Sequence, residues 1–143
     1  MALDLTTLLA FAKEQGASDL HISAGQPPLL RLRGQLVRLE MPALTRDDAR
    51  AAIYDILNDE QKRVFEERRD IDFALDLPGV SRFRANIMVQ ERGLAAVFRV
   101  IPTQIKTLEE LGMPPVLKEL ASKERGLVVI TGPTGSGKST TLA

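Results

Sequence analysis

Between Asp70 and Ile101 the chain alternates apolar with mostly polar residues three times over, a pattern no amphipathic helix shows. Ile71, Phe73 and Leu75 alternate with Asp72, Ala74 and Asp76 until Pro78-Gly79 interrupts the run. Phe83, Ala85, Ile87 and Val89 then alternate with Arg82, Arg84, Asn86, Met88 and Gln90. After the turn at Glu91-Arg92-Gly93, Leu94, Ala96, Phe98 and Val100 continue in the same way. A period of two sends successive side chains to opposite sides of a sheet, whereas a helix stripe recurs at three and four. Three such runs joined by short turns predict an antiparallel meander with one apolar and one polar face.

The residues before the meander supply what would cover its apolar face. Leu5, Leu8, Leu9 and Ala12 follow helix spacing over Asp4 to Gln15, with Asp4 as N-cap and Gly16 as stop. Asp19 to Ser23 alternates as a half-buried strand. Leu30 to Leu39 reads as a hairpin turning at Gly34-Gln35. Thr45 with Asp48 predicts a capping box, opening a helix striped by Ile53, Ile56 and Leu57. Asn58 predicts the cap of a further helix running to about Arg69.

Composition narrows the function classes. Of 143 residues, 44% are hydrophobic and 27% charged, enough for a core without staples. The 19 basic residues cancel the 19 acidic ones, so no global field recruits nucleic acid or an anionic membrane. With no Trp, one Tyr and five Phe, the chain has little to stack on bases. The absence of cysteine excludes disulfides and thiolate metal sites. No apolar run approaches the roughly 20 residues of a membrane-spanning helix, and Met1-Ala2-Leu3-Asp4 lacks a signal-peptide pattern. The expectation is a cytoplasmic protein with no membrane insertion.

Ile101-Pro102 closes the meander. The predicted organisation is an α+β domain over residues 1–101, a linker over 102–115 and the start of an α/β domain over 116–143. Thr107 and Glu110 form a further capping pattern, and Val116, Leu117 and Leu120 stripe a helix that Gly126 would end. Leu127-Val128-Val129-Ile130 has the continuous apolar character of a strand buried on both faces in a parallel sheet.

Gly132-Pro133-Thr134-Gly135-Ser136-Gly137-Lys138-Ser139 follows that run directly and fits G-x-x-x-x-G-K-[ST]. A polyphosphate needs several donors converging with little steric bulk. Gly132, Gly135 and Gly137 let successive N–H groups face one concavity, and Pro133, Thr134, Ser136 and Thr140 complete the loop's lining. Lys138 should reach the β- and γ-phosphates of ATP, and the Ser139 hydroxyl should coordinate Mg²⁺. Only Thr140 to Ala143 follow Ser139, so a strand-borne aspartate for Mg²⁺ and a base for the attacking water are not in this sequence. The 143 residues alone are expected not to turn over ATP.

The chain resembles the PilT family of type IV pilus retraction ATPases over essentially its whole length. The resemblance rests on Gly16 to Ser23, on Pro27-Pro28 with the Arg31-to-Leu36 hairpin, and on Ser81 to Asn86. It also rests on Gly93 to Pro102 and on Gly126 through the phosphate loop to Ala143. It implies a PAS-like N-terminal domain, linked to a truncated RecA-like domain, in a homo-hexameric ring. It further implies ATP bound between domains, a pilus platform protein as partner at the inner face of the cytoplasmic membrane, and hydrolysis that drives pilus disassembly and twitching motility. The family's later acidic and histidine motifs lie beyond residue 143. A related type II secretion or pilus-extension ATPase stays open, as does a non-enzymatic ring-interface role for these residues. A small-molecule P-loop kinase fits less well, because such enzymes usually open with the loop strand.

Arg82 and Arg84 lie opposite the apolar face of one strand and Arg99 opposite that of the next. If the strands pair in order, the three guanidiniums share the polar face and could present fixed charge to a phosphate, against the plainer reading of surface salt bridges. The resemblance implies that Arg84 and Arg99 approach the nucleotide and act with Lys138 as catalytic groups. His21 is the only histidine, so packing or hydrogen bonding suits it better than a metal site. Asp19 is expected as a turn or cap residue, and Asp70, Asp72 and Asp76 as solvated carboxylates.

Overall fold

Six strands pair into one antiparallel sheet in the computed structural model, which describes residues 3–102, 106–133 and 136–142. The chain divides into two units, residues 1–103 and 104–143. The first holds α1 (Leu5–Glu14), β1 (Asp19–Ser23), β2 (Leu29–Leu32), β3 (Gln35–Arg38), α2 (Arg46–Asp55), α3 (Asp59–Arg68), β4 (Asp70–Leu77), β5 (Ser81–Gln90) and β6 (Gly93–Ile101). The second holds α4 (Val116–Ala121) and α5 (Lys138–Leu142). Strand order is β3-β2-β1-β6-β5-β4, with every neighbour antiparallel. The α+β arrangement expected for the first domain, an antiparallel sheet with flanking helices, is the one observed.

Register explains why one side of this sheet is apolar. Leu20 of β1 pairs with Leu30 of β2 and Phe98 of β6, and Phe98 pairs with Ala85 of β5. Ile22, Ala96 and Ile87 form the next row across the same strands. Onto these rows pack Leu5, Leu8, Leu9 and Ala12 of α1, Ala49, Ala52 and Ile53 of α2, and Phe65 of α3. The helix starts follow from the predicted caps. Asp4 accepts from the backbone N–H groups of Thr6 and Thr7, and Thr45–Asp48 and Asn58–Gln61 close reciprocal capping boxes.

Four details differ from the sequence reading. The β2–β3 turn is Arg33-Gly34 rather than Gly34-Gln35, because Leu32 pairs with Gln35 and both turn residues take positive φ, 50° and 85°. Val89 is exposed, since it lies past the rows the helices cover. The helix expected to reach Gly126 stops at Ala121, where the Ser122 hydroxyl donates to the Lys118 and Glu119 carbonyls. Most consequential, Leu127 to Ile130 forms no strand. A strand buried on both faces needs paired neighbours and covering layers, and among the described residues nothing pairs with this run. Leu127 and Val129 are 87% and 67% exposed, while Val128 and Ile130 line a small apolar depression with Leu117 and Leu120 of α4 and Leu142 of α5. Every buried apolar side chain among the described residues belongs to the first unit.

Candidate nucleotide-binding site

The predicted site residues fall in both units. In the second, the glycine-rich loop turns back on itself. Gly132 and Gly137 have φ of 156° and 89°, conformations a side chain would strain, and a Cβ at Gly132 would sit 2.6 Å from Ser136 Oγ. The Ser136 N–H donates to the Pro133 carbonyl at 3.2 Å, tightening the bend. Lys138 Nζ donates to the carbonyl oxygens of Gly132 and Pro133, both at 2.8 Å, so the ammonium is seated over the start of the loop. Ser139 and Thr140 lie exposed in the single turn of α5, pinned where the Thr141 N–H and hydroxyl both reach the Gly137 carbonyl at 2.9 Å. Thr134 and Gly135, expected in the loop's lining, lie outside the described residues. The strand expected to lead into the loop is absent, but the lysine-centred curl is formed.

In the first unit, the sheet face opposite the core carries a row of charge set by register alone. Reading across β2, β1, β6 and β5, Arg31, Asp19, Arg99 and Arg84 are consecutive Cα partners. Arg84 and Arg99 thus stand directly opposite each other, a like-charge pairing that is unfavourable on its own. Each is offset by a carboxylate: Arg84 Nε lies 3.5 Å from Asp72 Oδ1, and Arg99 Nε donates to Asp19 Oδ1 at 2.9 Å. The two guanidinium side chains remain 68% and 69% exposed, and with Asp72, Asn86 and Val97 they line a shallow depression of about 220 Å³. Arg82 lies on the same face and pairs with Asp76 at 3.4 Å.

Several carboxylates are more engaged than the sequence suggested. Asp70 accepts from Asn86 Nδ2 at 3.0 Å, so all three strand-β4 carboxylates have partners rather than solvent alone. Asp19 is not a turn or cap residue. Its side chain is only 4% exposed, accepts from the Ser18 hydroxyl at 2.8 Å, and lies between Arg99 and Arg31. Burial pushes its pKa up, but the bonds from Ser18 and Arg99 outweigh that and hold it below its ordinary value. His21, next on this face, carries a buried Nε2 with no hydrogen-bond partner among the described residues. Burial lowers its pKa, Asp19 opposes that, and Arg31 and Arg99 add to it, so the imidazole is favoured neutral. Among the described residues no group of three or more acidic or histidine residues could hold a metal ion.

The described residues thus form a helix-backed antiparallel sheet, followed in sequence by a glycine-rich loop closed on a lysine. The chain belongs to the Type II/IV secretion system protein family, whose family model matches residues 2–143. It is 55% identical over 141 residues to the type IV pilus retraction ATPase PilT of Pseudomonas aeruginosa, covering 99% of this chain and 41% of that protein. It is 38% identical over 143 residues to a twitching motility protein of Neisseria gonorrhoeae, covering 100% of this chain and 38% of the relative. A crystal structure of the pilus retraction motor PilT with bound ADP superposes with a TM-score of 0.84 at 39% identity, covering 98% of this chain and 41% of that one. The chain therefore spans about two fifths of the length of the relatives it matches. Among the described residues no helix is long and apolar enough to cross a membrane.

Proposed function

We propose that this chain supplies the sheet domain and phosphate loop of an ATP-driven pilus retraction motor. Residues 1–101 are the N-terminal domain, 102–115 the linker and 116–143 the start of the ATPase domain. The observation that carries the reading is the seating of Lys138 Nζ at 2.8 Å from the Gly132 and Pro133 carbonyls. An ammonium at the centre of a glycine-bent loop is where a polyphosphate's inner charge is met, and phosphate oxygens can take over from those carbonyls. The backbone of residues 132–137 then binds the phosphates, and Ser139 and Thr140 lie beside them. The Ser139 hydroxyl would offer Mg²⁺ one ligand beside the phosphates. When bound, MgATP supplies the phosphoanhydride whose cleavage drives the motor. In the assembled ring Arg84 and Arg99 stabilise charge on the phosphates as the bond breaks.

The identity to a pilus retraction ATPase favours retraction over type II secretion or pilus extension. By the same likeness the working form is a homo-hexamer against a platform protein at the inner face of the cytoplasmic membrane.

The test uses the full-length ATPase that carries this chain, alone and in a strain lacking its own retraction motor. ATP hydrolysis is expected, with a loss of about 100-fold or more in Lys138→Ala, comparable to removing a preorganised charge-stabilising donor. The wild-type protein should restore twitching where Lys138→Ala does not. Equal hydrolysis by both proteins would overturn the reading of the loop, and hydrolysis without restored twitching would move the protein to an extension or secretion role.

A further inference from the structure

We propose that Asp19 is a positioning residue that anchors the Arg99 guanidinium by its Nε edge and leaves the outer edge free for phosphate oxygens. The proposal rests on the reading of Arg99 given above and adds the residue that makes it usable.

Three observations carry it. Asp19 is a buried carboxylate on a central strand, flanked through register by an arginine on each side, Arg31 of β2 and Arg99 of β6. Placing a carboxylate there costs desolvation that an exposed arginine partner returns only in part, so surface ion pairing alone is a poor reason for it. Second, the contact uses one edge of the guanidinium. Arg99 Nε donates to Asp19 Oδ1 at 2.9 Å, and among the described residues neither Nη group has a partner. That edge, with its fork of parallel N–H donors, is the one that matches two oxygens of a phosphate. Third, the carboxylate itself is enclosed and held, with its side chain only 4% exposed. Ser18 holds the other carboxylate oxygen at 2.8 Å, and the neighbouring His21 Nε2 is buried without a partner. With one partner enclosed, the contact is screened less than an ion pair between two exposed side chains.

Arg84 stands directly across from Arg99, and mutual repulsion would otherwise swing both side chains apart. Asp19 and Asp72 each take the Nε edge of one arginine, so the pair can remain side by side with both outer forks open. An unanchored arginine must pay its ordering entropy when the phosphate arrives, and an anchored one has already done so.

The experiment measures kcat and KM for ATP in the full-length ATPase with Asp19→Ala, Asp19→Asn, Arg99→Ala and each Asp19 substitution combined with Arg99→Ala, alongside each variant's urea midpoint. Arg99→Ala is expected to lower kcat by about 100-fold or more, as loss of an arginine finger does. Asp19→Ala is expected to lower kcat by roughly 10-fold with KM little changed, because anchoring matters most where charge develops. Asp19→Asn keeps the shape and an oxygen for Arg99 Nε but removes the charge, so kcat should fall by about threefold; compared with and without Arg99, it carries the test if the alanine variant does not fold. In the Arg99→Ala background either Asp19 substitution should change kcat less than about twofold. The proposal is overturned if Asp19 variants lose the same factor with and without Arg99, which marks a general structural role, or if they lose nothing while Arg99→Ala does. An Arg99→Ala enzyme with wild-type kcat would instead remove the arginine reading itself, and this proposal with it.

Discussion

Gly93, at the turn between β5 and β6, offers a measurable test of how tightly the sheet is locked to its helices. Its φ is +136°, and a Cβ built there would lie 2.9 Å from Ala24 Cβ and 3.1 Å from Arg46 Cγ. Ala24 is buried and its N–H donates to the Leu94 carbonyl, while Arg46 opens α2 and donates through Nε to the Arg92 carbonyl. A methyl group at Gly93 therefore meets two anchored neighbours, one at the end of β1 and one on α2. Gly79, in the β4–β5 turn, has φ of +77° and nothing within 4 Å of its added Cβ. Gly79→Ala isolates the backbone term, about 1–2 kcal/mol. Gly93→Ala adds a more restricted backbone region and overpacking of about 1–3 kcal/mol, for a total of about 2–5 kcal/mol. Urea unfolding followed by far-ultraviolet circular dichroism reads the difference as a midpoint gap of roughly 1 M for a typical small-domain slope. If Gly93→Ala unfolds no earlier than Gly79→Ala, the packing described between hairpin, β1 and α2 is wrong.

Two further outcomes follow from the caps and the lone histidine. Asn58→Ala removes one side of the capping box that opens α3 and should cost about 1 kcal/mol, read as a lower urea midpoint; no shift would mean α3 is held by Phe65 packing alone. Burial lowers the His21 pKa from 6.5, so the unfolded chain binds a proton at this residue more readily than the folded one. Folding stability should be complete above about 6.5 and decline as pH falls below it. Between pH 7.5 and roughly 5.5 wild type should lose stability where His21→Leu does not, and parallel pH profiles would contradict the assignment.

Most of the first unit was legible because its instructions are local. Alternation over Ile71 to Val100 needs no partner to be read, and Asp4, Thr45 and Asn58 mark helix starts within three residues of the groups they satisfy. The bend at Gly132 and Gly137 was equally legible, since positive φ at glycine is a local property. Asp19 was misread for the opposite reason. Its partners sit 12 and 80 positions away at Arg31 and Arg99, and only strand register brings them together. Leu127 to Ile130 failed on the same ground: an apolar run states that a strand would be buried, but pairing depends on neighbours elsewhere. The shared face of Arg84 and Arg99 was read correctly because adjacent meander strands have a predictable order.

All three helices of the first unit press on one side of the sheet. The core is consequently built from residues such as Phe98 and Ile53, whereas Arg84, Arg99 and Asp72 stand on the face those helices leave uncovered. Evolution can retune the charged side, altering what it grips and how hard, while the scaffold beneath stays intact. Strand parity keeps the two jobs apart: neighbouring positions such as Phe98 and Arg99 answer to different selective demands.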